Sequence, residues 1–382
     1  MSIVSVENHP NEAAGPSAVT VGQAKTRLWG MTSAERLSRI YRRLGLVEAG
    51  RETVFITGDV VVVDAGWVFD ESLIKALAGR PGAALVDEAG RIVAINVPAA
   101  RAREAIVRLD TGEDVTALAE VRLTALELGS AYNSALRKRE PPVLERLTPE
   151  TRVAVEKRLF QGSYKGVTDL VTKYVWPTPA RIVTRWCALA RMTPNQVTLI
   201  GFLLVLAAFW LFWIGEFGWG LVCAWIMTFL DTVDGKLARV TLTSSKWGNV
   251  FDHGIDLVHP PFWWWAWYVG VGALGFTMPH GELALAVIVG GYVLQRVEEG
   301  IFLALFKVEM HAWRPFDSFF RLITARRNPN LILLTLAVAV GHPDVGFLAV
   351  AVWTAICLIV HAAQILQALA TPKGAVVSWL SR

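Results

Sequence analysis

The chain changes character along its length, from short alternating apolar and polar stretches to long apolar runs. Residues 32–46 repeat apolar side chains at helical spacing after a Thr32 cap, and residues 53–65 follow with the pattern of a buried strand. Further strand and helix patterns alternate up to about residue 125. Such alternation predicts a small α/β domain.

These patterns divide the chain into four segments. Residues 1–25 are polar and rich in turn-forming residues, which predicts a disordered tail. Residues 26–125 form the predicted α/β domain, residues 126–160 a helical linker and residues 161–382 a membrane domain. The first 30 residues contain no continuous apolar core, so we expect the N-terminus to stay in the cytoplasm.

The second half carries six apolar runs that match, or nearly match, the roughly 20 helical residues needed to cross a bilayer. The loops predicted to face outward contain no Lys or Arg, whereas the inward segments are rich in both. This predicts a polytopic α-helical protein of the inner or plasma membrane, with its active face in the cytoplasm. The predicted spans are 197–214, 219–239, 247–270, 283–306, 328–343 and 345–369.

Two aromatic stretches suggest further contact with lipid. Residues 158–192 mix Trp176 and Trp186 with Lys and Arg, which predicts an amphipathic helix in the headgroup layer, although a solvated linker is an alternative. The run PPFWWWAWY at 260–268 is expected to form a lipid-facing surface.

The composition supports the prediction of a membrane protein and argues against cysteine-based sites. Of 382 residues, 53% are hydrophobic, which is too many for an ordinary soluble protein. The three cysteines are widely separated, so neither a disulfide framework nor a cysteine zinc site is expected. The formal net charge is +4, but the positions of the charges along the chain matter more than their sum. No nucleic-acid partner is expected.

Four aspartates stand where two predicted spans meet the cytoplasm. Asp231 and Asp234 are three residues apart and share a helical face, and Asp252 and Asp256 are four apart on the next helix. Hard oxygen ligands at this density suit Mg²⁺, Mn²⁺ or Ca²⁺, and two such ions can clamp a displacement at phosphorus. The alternatives are pairing with Lys236, Arg239 and Lys246, or a cation pathway through a transporter.

The same stretch follows the pattern D-x2-D-G-x2-A-R-x8-G-x3-D-x3-D, which resembles the signature of the CDP-alcohol phosphotransferase family. The resemblance covers about residues 161–367 and includes TPNQVT at 193–198 and RRNPN at 326–330. The positions that fill the pattern are Asp231, Asp234, Gly235, Ala238, Arg239, Gly248, Asp252 and Asp256.

The resemblance implies a homodimer with six membrane helices that transfers a phosphoalcohol from a CDP-alcohol to an acceptor hydroxyl and releases CMP. It implies two divalent cations, Mg²⁺ or Mn²⁺, and a nucleotide site. By the match, the metal ligands are Asp231, Asp234, Asp252 and Asp256, with Asp256 also a candidate general base. The CDP moiety would lie against Asp231, Gly235, Ala238, Arg239 and Gly248.

Four further residues are candidates for binding the acceptor. Arg296 and Glu299 lie inside the fourth predicted span, where charge is costly, so they either line a cavity or form a buried pair. Arg326 and Arg327 could hold a phosphate, or could lie among anionic headgroups.

The N-terminal segment resembles a nucleotidyltransferase domain of the sugar-nucleotide type, with a strand that carries Asp59. It lacks the glycine-rich nucleotide loop of that family, so we expect a non-catalytic domain that serves oligomerisation or regulation. The fusion is similar to bifunctional inositol-phosphate cytidylyltransferase/di-myo-inositol-phosphate-phosphate synthases, which favours an inositol-type substrate.

Three functions stay open. CDP-diacylglycerol could donate a phosphatidyl group to an inositol-type or other polyol phosphate in phospholipid biosynthesis. A soluble CDP-polyol could instead donate to a lipid or polyol acceptor. A transporter or membrane scaffold with a cytoplasmic binding domain is the alternative from another class.

Overall fold

The computed structural model describes residues 16–55, 57–129, 132–133, 136–372 and 374–381, apart from the side chains of Lys246, Asn249 and Asp252. Residues 1–15 of the predicted tail lie outside these ranges. The chain forms two compact units. The first comprises Met1–Asn133, Arg139–Ser163 and Arg239–Thr243, and the second comprises Ser134–Lys138, Tyr164–Ala238 and Ser244–Arg382.

Short strands and helices build the described chain up to residue 162. The segment 126–160, predicted to be a helical linker, contains three short strands as well as helix. The described strands are β1 (Ser17–Val21), β2 (Val47–Ala49), β3 (Asp59–Asp64), β4 (Trp67–Phe69), β5 (Ala83–Val86), β6 (Ile92–Pro98), β7 (Val121–Leu123), β8 (Tyr132–Asn133), β9 (Lys138–Arg139) and β10 (Leu144–Arg146). The helices are α1 (Ser33–Leu44), α2 (Glu71–Ala78), α3 (Ala99–Thr111), α4 (Ala125–Leu128) and α5 (Arg152–Gly162).

A six-stranded mixed sheet with the order β2-β1-β3-β6-β5-β7 forms the core of the first unit. Strand β1 is parallel to β2 and β3, whereas β6 is antiparallel to β3 and β5. Alternate residues of β3 face opposite layers: Val61 and Val63 pack with α1 and α2, and Val60 and Val62 pack with α3. The predicted α/β organisation is therefore present.

The start of the unit corrects one prediction. Residues 17–21 were expected in the disordered tail, but they form β1 in the interior of the sheet. Ala18, Val19 and Val21 are fully buried, and this short apolar segment is hidden in the sequence by its polar surroundings. The predicted helix after Thr32 is confirmed as α1, which begins with a complete capping box.

Helices build the second unit. Its helices are α6 (Pro177–Leu189), α7 (Pro194–Trp213), α8 (Phe217–Val240), α9 (Lys246–Ala273), α10 (Gly281–Phe306), α11 (Pro315–Phe320), α12 (Arg327–Ala339) and α13 (Pro343–Leu369). The fifth predicted span, 328–343, falls on α12, whose 13 residues are fewer than the roughly 20 that a crossing needs. The other five fall on the long helices α7, α8, α9, α10 and α13. Two of them, α7 and α13, are long and apolar enough to cross a membrane. The other four spans and the interfacial helix stay predictions.

The tryptophan run on α9 does not form the expected lipid-facing surface. Trp263, Trp264 and Trp267 are buried among the helices, and only Trp265 is exposed, at 44%. Trp263 Nε1 donates to the carbonyl oxygen of Val205, and Trp267 Nε1 donates in the same way to Pro343. The prediction fails because consecutive residues point to all sides of a helix, so a run of aromatics cannot share one face.

A close approach between α7 and α9 gives a test of this packing. A Cβ atom added to Gly270 would lie 1.9 Å from the carbonyl oxygen of Phe212, whereas nothing lies within 4 Å of one added to Gly272. Gly270→Ala is expected to destabilise the protein by about 1–3 kcal/mol or more, because backbone atoms must move apart. The matched variant Gly272→Ala should melt like the parent protein. Equal melting temperatures for both variants in detergent would contradict the packing.

Candidate active site

Three of the four motif aspartates converge as predicted. Asp231 and Asp234 lie on α8 and Asp256 lies on α9, and all three line one small cavity together with Thr198 of α7. The i, i+3 spacing on α8 directs two carboxylates to the same side of the helix. The side chain of Asp252 lies outside the described residues, so its role as a ligand stays a prediction.

The segment before the first span contributes a hydroxyl to this cavity. Thr193 and Gln196 form a capping box that begins α7, and one turn later Thr198 Oγ1 lies 2.5 Å from Asp234 Oδ2. Asp234 is only 3% exposed, so the hydrogen bond offsets part of the cost of burying its charge. The TPNQVT segment thus both starts the helix and positions a motif aspartate.

Arg327, the first residue of α12, bridges the two carboxylates that flank the cavity. Its Nη2 lies 2.5 Å from Asp231 Oδ2, and its Nη1 lies 2.5 Å from Asp256 Oδ1. The arginine side chain is 14% exposed, so it lies within the protein and not among headgroups. Arg327 was not among the alternative partners expected from the sequence, which were Lys236, Arg239 and Lys246. The Lys236 ammonium lies 3.8 Å from the centre of the Tyr164 ring.

The donor set fits a divalent cation. Asp231, Asp234 and Asp256 offer only carboxylate oxygens, which are the ligands preferred by Mg²⁺ and Mn²⁺. The guanidinium of Arg327 lies between two of these carboxylates, which shows that the site requires positive charge. A metal ion and Arg327 would compete for the same oxygen atoms.

A second, larger cavity of about 390 Å³ lies beside the first. Asp256 is the only described residue that lines both cavities. The lining of the larger cavity includes six cationic residues against four acidic ones, so it carries an excess of positive charge and suits an anion. The cationic residues are Arg137, Lys165, Arg296, Arg321, Arg326 and Arg327.

The four residues expected to bind an acceptor all line this cationic cavity. The three arginines among them also pair with acidic groups, so Arg296 and Glu299 both line a cavity and contact each other. Arg296 Nη1 lies 3.5 Å from Glu299 Oε2, and Arg326 donates to Glu299 Oε1. Glu299 therefore holds two arginines at the wall of the cavity, and Arg327 is held by the motif carboxylates.

Sequence reasoning missed several residues of the cavity. Arg321 is half-buried at the cavity wall, and desolvation of its guanidinium lowers its pKa to about 9. Burial by itself would raise the pKa of Asp169. Hydrogen bonds from the Thr172 amide and the Asn328 side chain outweigh this effect and hold the pKa below its usual range. Arg137 lies in the segment predicted to be a helical linker. Asn328 lies in the RRNPN segment, and Asp169 lies in the aromatic and basic stretch predicted to contact headgroups.

The remaining motif positions lie apart from both cavities. None of the described residues lining them is Gly235, Ala238, Arg239 or Gly248. A Cβ atom added to Gly248 would lie 2.7 Å from Asn195 Oδ1, so an alanine there would require the Asn195 side chain to move. Arg239 donates to the carbonyl oxygen of Ser163 at 3.4 Å. Contact of these residues with a nucleotide stays a prediction.

Comparison with known proteins agrees with the motif. Residues 191–356 match the model of the CDP-alcohol phosphatidyltransferase family. The matched domain is therefore similar to that family, and the match spans less than half of the 382 residues of the chain. The domain begins just before α7 and ends within α13, so it contains both cavity-forming motif helices and Arg327. The family resemblance drawn from the aspartate pattern is thereby confirmed.

The domain is similar to enzymes that differ in their alcohols. It is 31% identical over 168 residues to choline/ethanolaminephosphotransferase 2 of Arabidopsis thaliana, which covers 35% of this chain and 41% of that protein. It is 36% identical over 149 residues to a phosphatidylinositol phosphate synthase of Streptomyces avermitilis, covering 32% of this chain and 61% of that protein. The chain therefore spans less than two thirds of the length of either relative.

Two further matches complete the comparison. An archaetidylinositol phosphate synthase of Pyrococcus horikoshii is 39% identical over 79 residues, covering 20% of this chain and 42% of that protein. A solved structure of a phosphatidylinositol phosphate synthase of Mycobacterium tuberculosis, in complex with manganese and citrate, is 18% identical with a TM-score of 0.40. That match covers 52% of this chain and 92% of the solved chain.

The bridge made by Arg327 predicts a metal-dependent stability. Arg327→Met should destabilise the protein by about 3–5 kcal/mol in EDTA, because it leaves buried carboxylates without a counter-charge. Addition of Mg²⁺ or Mn²⁺ should then restore stability to the variant more than to the parent protein, as judged by thermal melting in detergent.

The control for this experiment is Arg191→Met, which removes an exposed arginine before α7. Its melting temperature should change little with or without metal. An Arg327→Met variant that melts like the parent protein in EDTA would show that the bridge does not stabilise the site.

Proposed function

We propose that this protein transfers a phosphoalcohol group from a CDP-alcohol to an acceptor hydroxyl and releases CMP, in phospholipid or phosphopolyol biosynthesis. The observation that carries the proposal is the position of Asp256. It lines both the aspartate cavity and the cationic cavity, where a donor and an acceptor could meet. The family of the domain supports the same reaction.

The proposed chemistry uses Asp256 as the general base. Its carboxylate takes the proton of the acceptor hydroxyl, the hydroxyl oxygen forms a bond to the donor phosphorus, and the bond from that phosphorus to CMP breaks with its electron pair leaving on CMP. Two divalent cations, Mg²⁺ or Mn²⁺, held by Asp231, Asp234, Asp252 and Asp256, would neutralise the phosphate charges when bound. Arg327 holds Asp231 and Asp256 in place until then.

The cationic cavity favours a phosphorylated acceptor. Arg296, Arg326 and Arg327 are close to Asp256, and a phosphate can accept from several guanidinium groups at once. An inositol-type phosphate fits this chemistry, and two of the relatives are named for inositol phosphate products. CDP-diacylglycerol would then be the donor. The alternative is a soluble CDP-polyol that donates to a lipid or polyol acceptor.

The proposed setting is a membrane with the active site on its cytoplasmic side. The segment before α7 exposes Tyr174 and Trp186, each at 65%, beside basic residues, which supports an interfacial helix. Six membrane spans, a cytoplasmic N-terminus and a homodimer belong to the same proposal. A transporter or scaffold would instead require no metal and release no CMP.

The first unit is proposed to be non-catalytic. At the carboxyl end of β1, the Gly22 amide donates to Asp110 Oδ1 at 2.7 Å, and Arg51 pairs with the same carboxylate. Arg51 Nη2 also donates to the Gly22 carbonyl oxygen at 2.8 Å. This ion pair fills the edge of the sheet where a nucleotide-binding loop would lie. It thus supports a non-catalytic role for the unit, in regulation or oligomerisation.

CMP release tests the reaction. The purified protein with Mg²⁺ or Mn²⁺ should release CMP from CDP-diacylglycerol or CDP-inositol when offered the right polyol, polyol phosphate or lipid acceptor. Asp256→Asn should lower the rate roughly 10²–10⁴-fold, because it removes the base. Asp344→Asn, at the start of α13, is the matched control and should keep the parental rate. No release from any pair, together with no CDP binding, would reject the transferase.

The acceptor class is tested separately. Arg326→Gln should raise the KM for a phosphorylated polyol about tenfold or more while leaving the KM for the CDP-alcohol nearly unchanged, because only the acceptor would contact this arginine. Arg191→Gln is the exposed control. An equal effect of Arg326→Gln on phosphorylated and unphosphorylated acceptors would argue against a phosphate site.

A further inference from the structure

A second polar cluster lies where α10 and α13 approach the turn that follows α10. His361 of α13 is fully buried, and His311 in the turn Met310–Ala312 is 3% exposed. His311 Nε2 lies 3.3 Å from Glu299 Oε1, and His361 Nδ1 lies 3.5 Å from Glu298 Oε2. Two imidazoles and two carboxylates therefore meet in one place, apart from the motif aspartates.

The hydrogen bonding of this cluster is incomplete. Both ring nitrogens of His361, Nδ1 of His311 and Oε2 of Glu298 have no hydrogen-bond partner among the described residues. Buried polar groups nearly always have a partner, because an unsatisfied one costs about 1–3 kcal/mol. A cation that accepts lone pairs from both the imidazole nitrogens and the carboxylate oxygen would satisfy these groups.

The spacing fits a metal ion. The ligand atoms of Glu299, His311 and His361 all lie within 4.8 Å of one another. Bonds of about 2.0–2.1 Å in a tetrahedral zinc site place neighbouring ligand atoms about 3.3 Å apart, so small side-chain rotations would close the shell. Mixed imidazole and carboxylate ligands suit Zn²⁺ and not Mg²⁺. We infer that Glu299, His311 and His361 form a Zn²⁺-class site whose fourth ligand comes from outside the chain.

The surroundings define how such an ion would be held. Arg296 and Arg326 both contact Glu299. They would hold its carboxylate in a fixed orientation, which is what residues bonded to a metal ligand usually do. They also balance the charge of the two glutamates, so the bound dication needs a further anion. Glu299 and His311 line the cationic cavity, from which a hydroxide could complete the coordination.

This inference does not depend on the proposed transferase, because no motif aspartate takes part. Metal content measures it directly. The full-length protein in detergent would be stripped with EDTA, returned to excess Mg²⁺ to occupy carboxylate-only sites, and titrated with Zn²⁺. We expect about one equivalent of Zn²⁺ to bind, and Co²⁺ in its place to give the intense visible absorption of a tetrahedral site.

Variants then assign the ligands. His361→Ala and His311→Ala should each weaken Zn²⁺ binding ~100-fold or more, since even partners of ligands are worth 10–100-fold. His280→Ala, which removes an exposed histidine before α10, is the matched control and should bind like the parent protein. Asp256→Asn should also retain the Zn²⁺.

Two results would overturn the site. Zn²⁺ binding that is absent from the parent protein, or unchanged in both His361→Ala and His311→Ala, would leave the cluster as histidine–glutamate contacts without a metal ion. Should the histidine variants fail to fold, the Co²⁺ spectrum of the parent protein decides, because a weak octahedral spectrum is incompatible with these ligands.

Discussion

Buried negative charge at the meeting of α8 and α9 is the constraint on which the rest of the second unit depends. Carboxylates taken out of water must be matched by cations or hydrogen-bond donors. Arg327 supplies the cation for Asp231 and Asp256, and Thr198 supplies a donor for Asp234. Because these partners come from α7 and α12, the need to neutralise the aspartates also fixes how four helices pack.

The same constraint gives the site its chemical character. A guanidinium satisfies the carboxylates with two directed bonds, whereas a divalent cation could replace it with stronger and less directional ones. An arginine released from this position would face the cationic cavity that it already lines. The side chain of Arg327 therefore links two processes, the neutralisation of the aspartates and the binding of an anion in the cationic cavity.

Apolar packing places these groups accurately. The buried tryptophans of α9 pack against α7, α8 and α13, and their indole nitrogens bond to backbone carbonyls of neighbouring elements. Gly270 lets the α7 backbone come close to α9. A rigid apolar core of this kind holds polar side chains at fixed distances in a low-dielectric setting, where each charge interaction is strong.

The sequence by itself determined which helices form and which aspartates share a face, because helical spacing is a local property: Asp231 and Asp234 are three residues apart, and capping residues mark where α1 and α7 begin. It could not determine the partner of those aspartates. Arg327 lies 96 residues from Asp231 and 71 from Asp256, and nearer lysines and arginines were equally reasonable candidates. The burial of β1, the inward tryptophans and the meeting of His311 with His361 were likewise decided only by tertiary packing, because contacts between distant segments leave no local pattern in the chain.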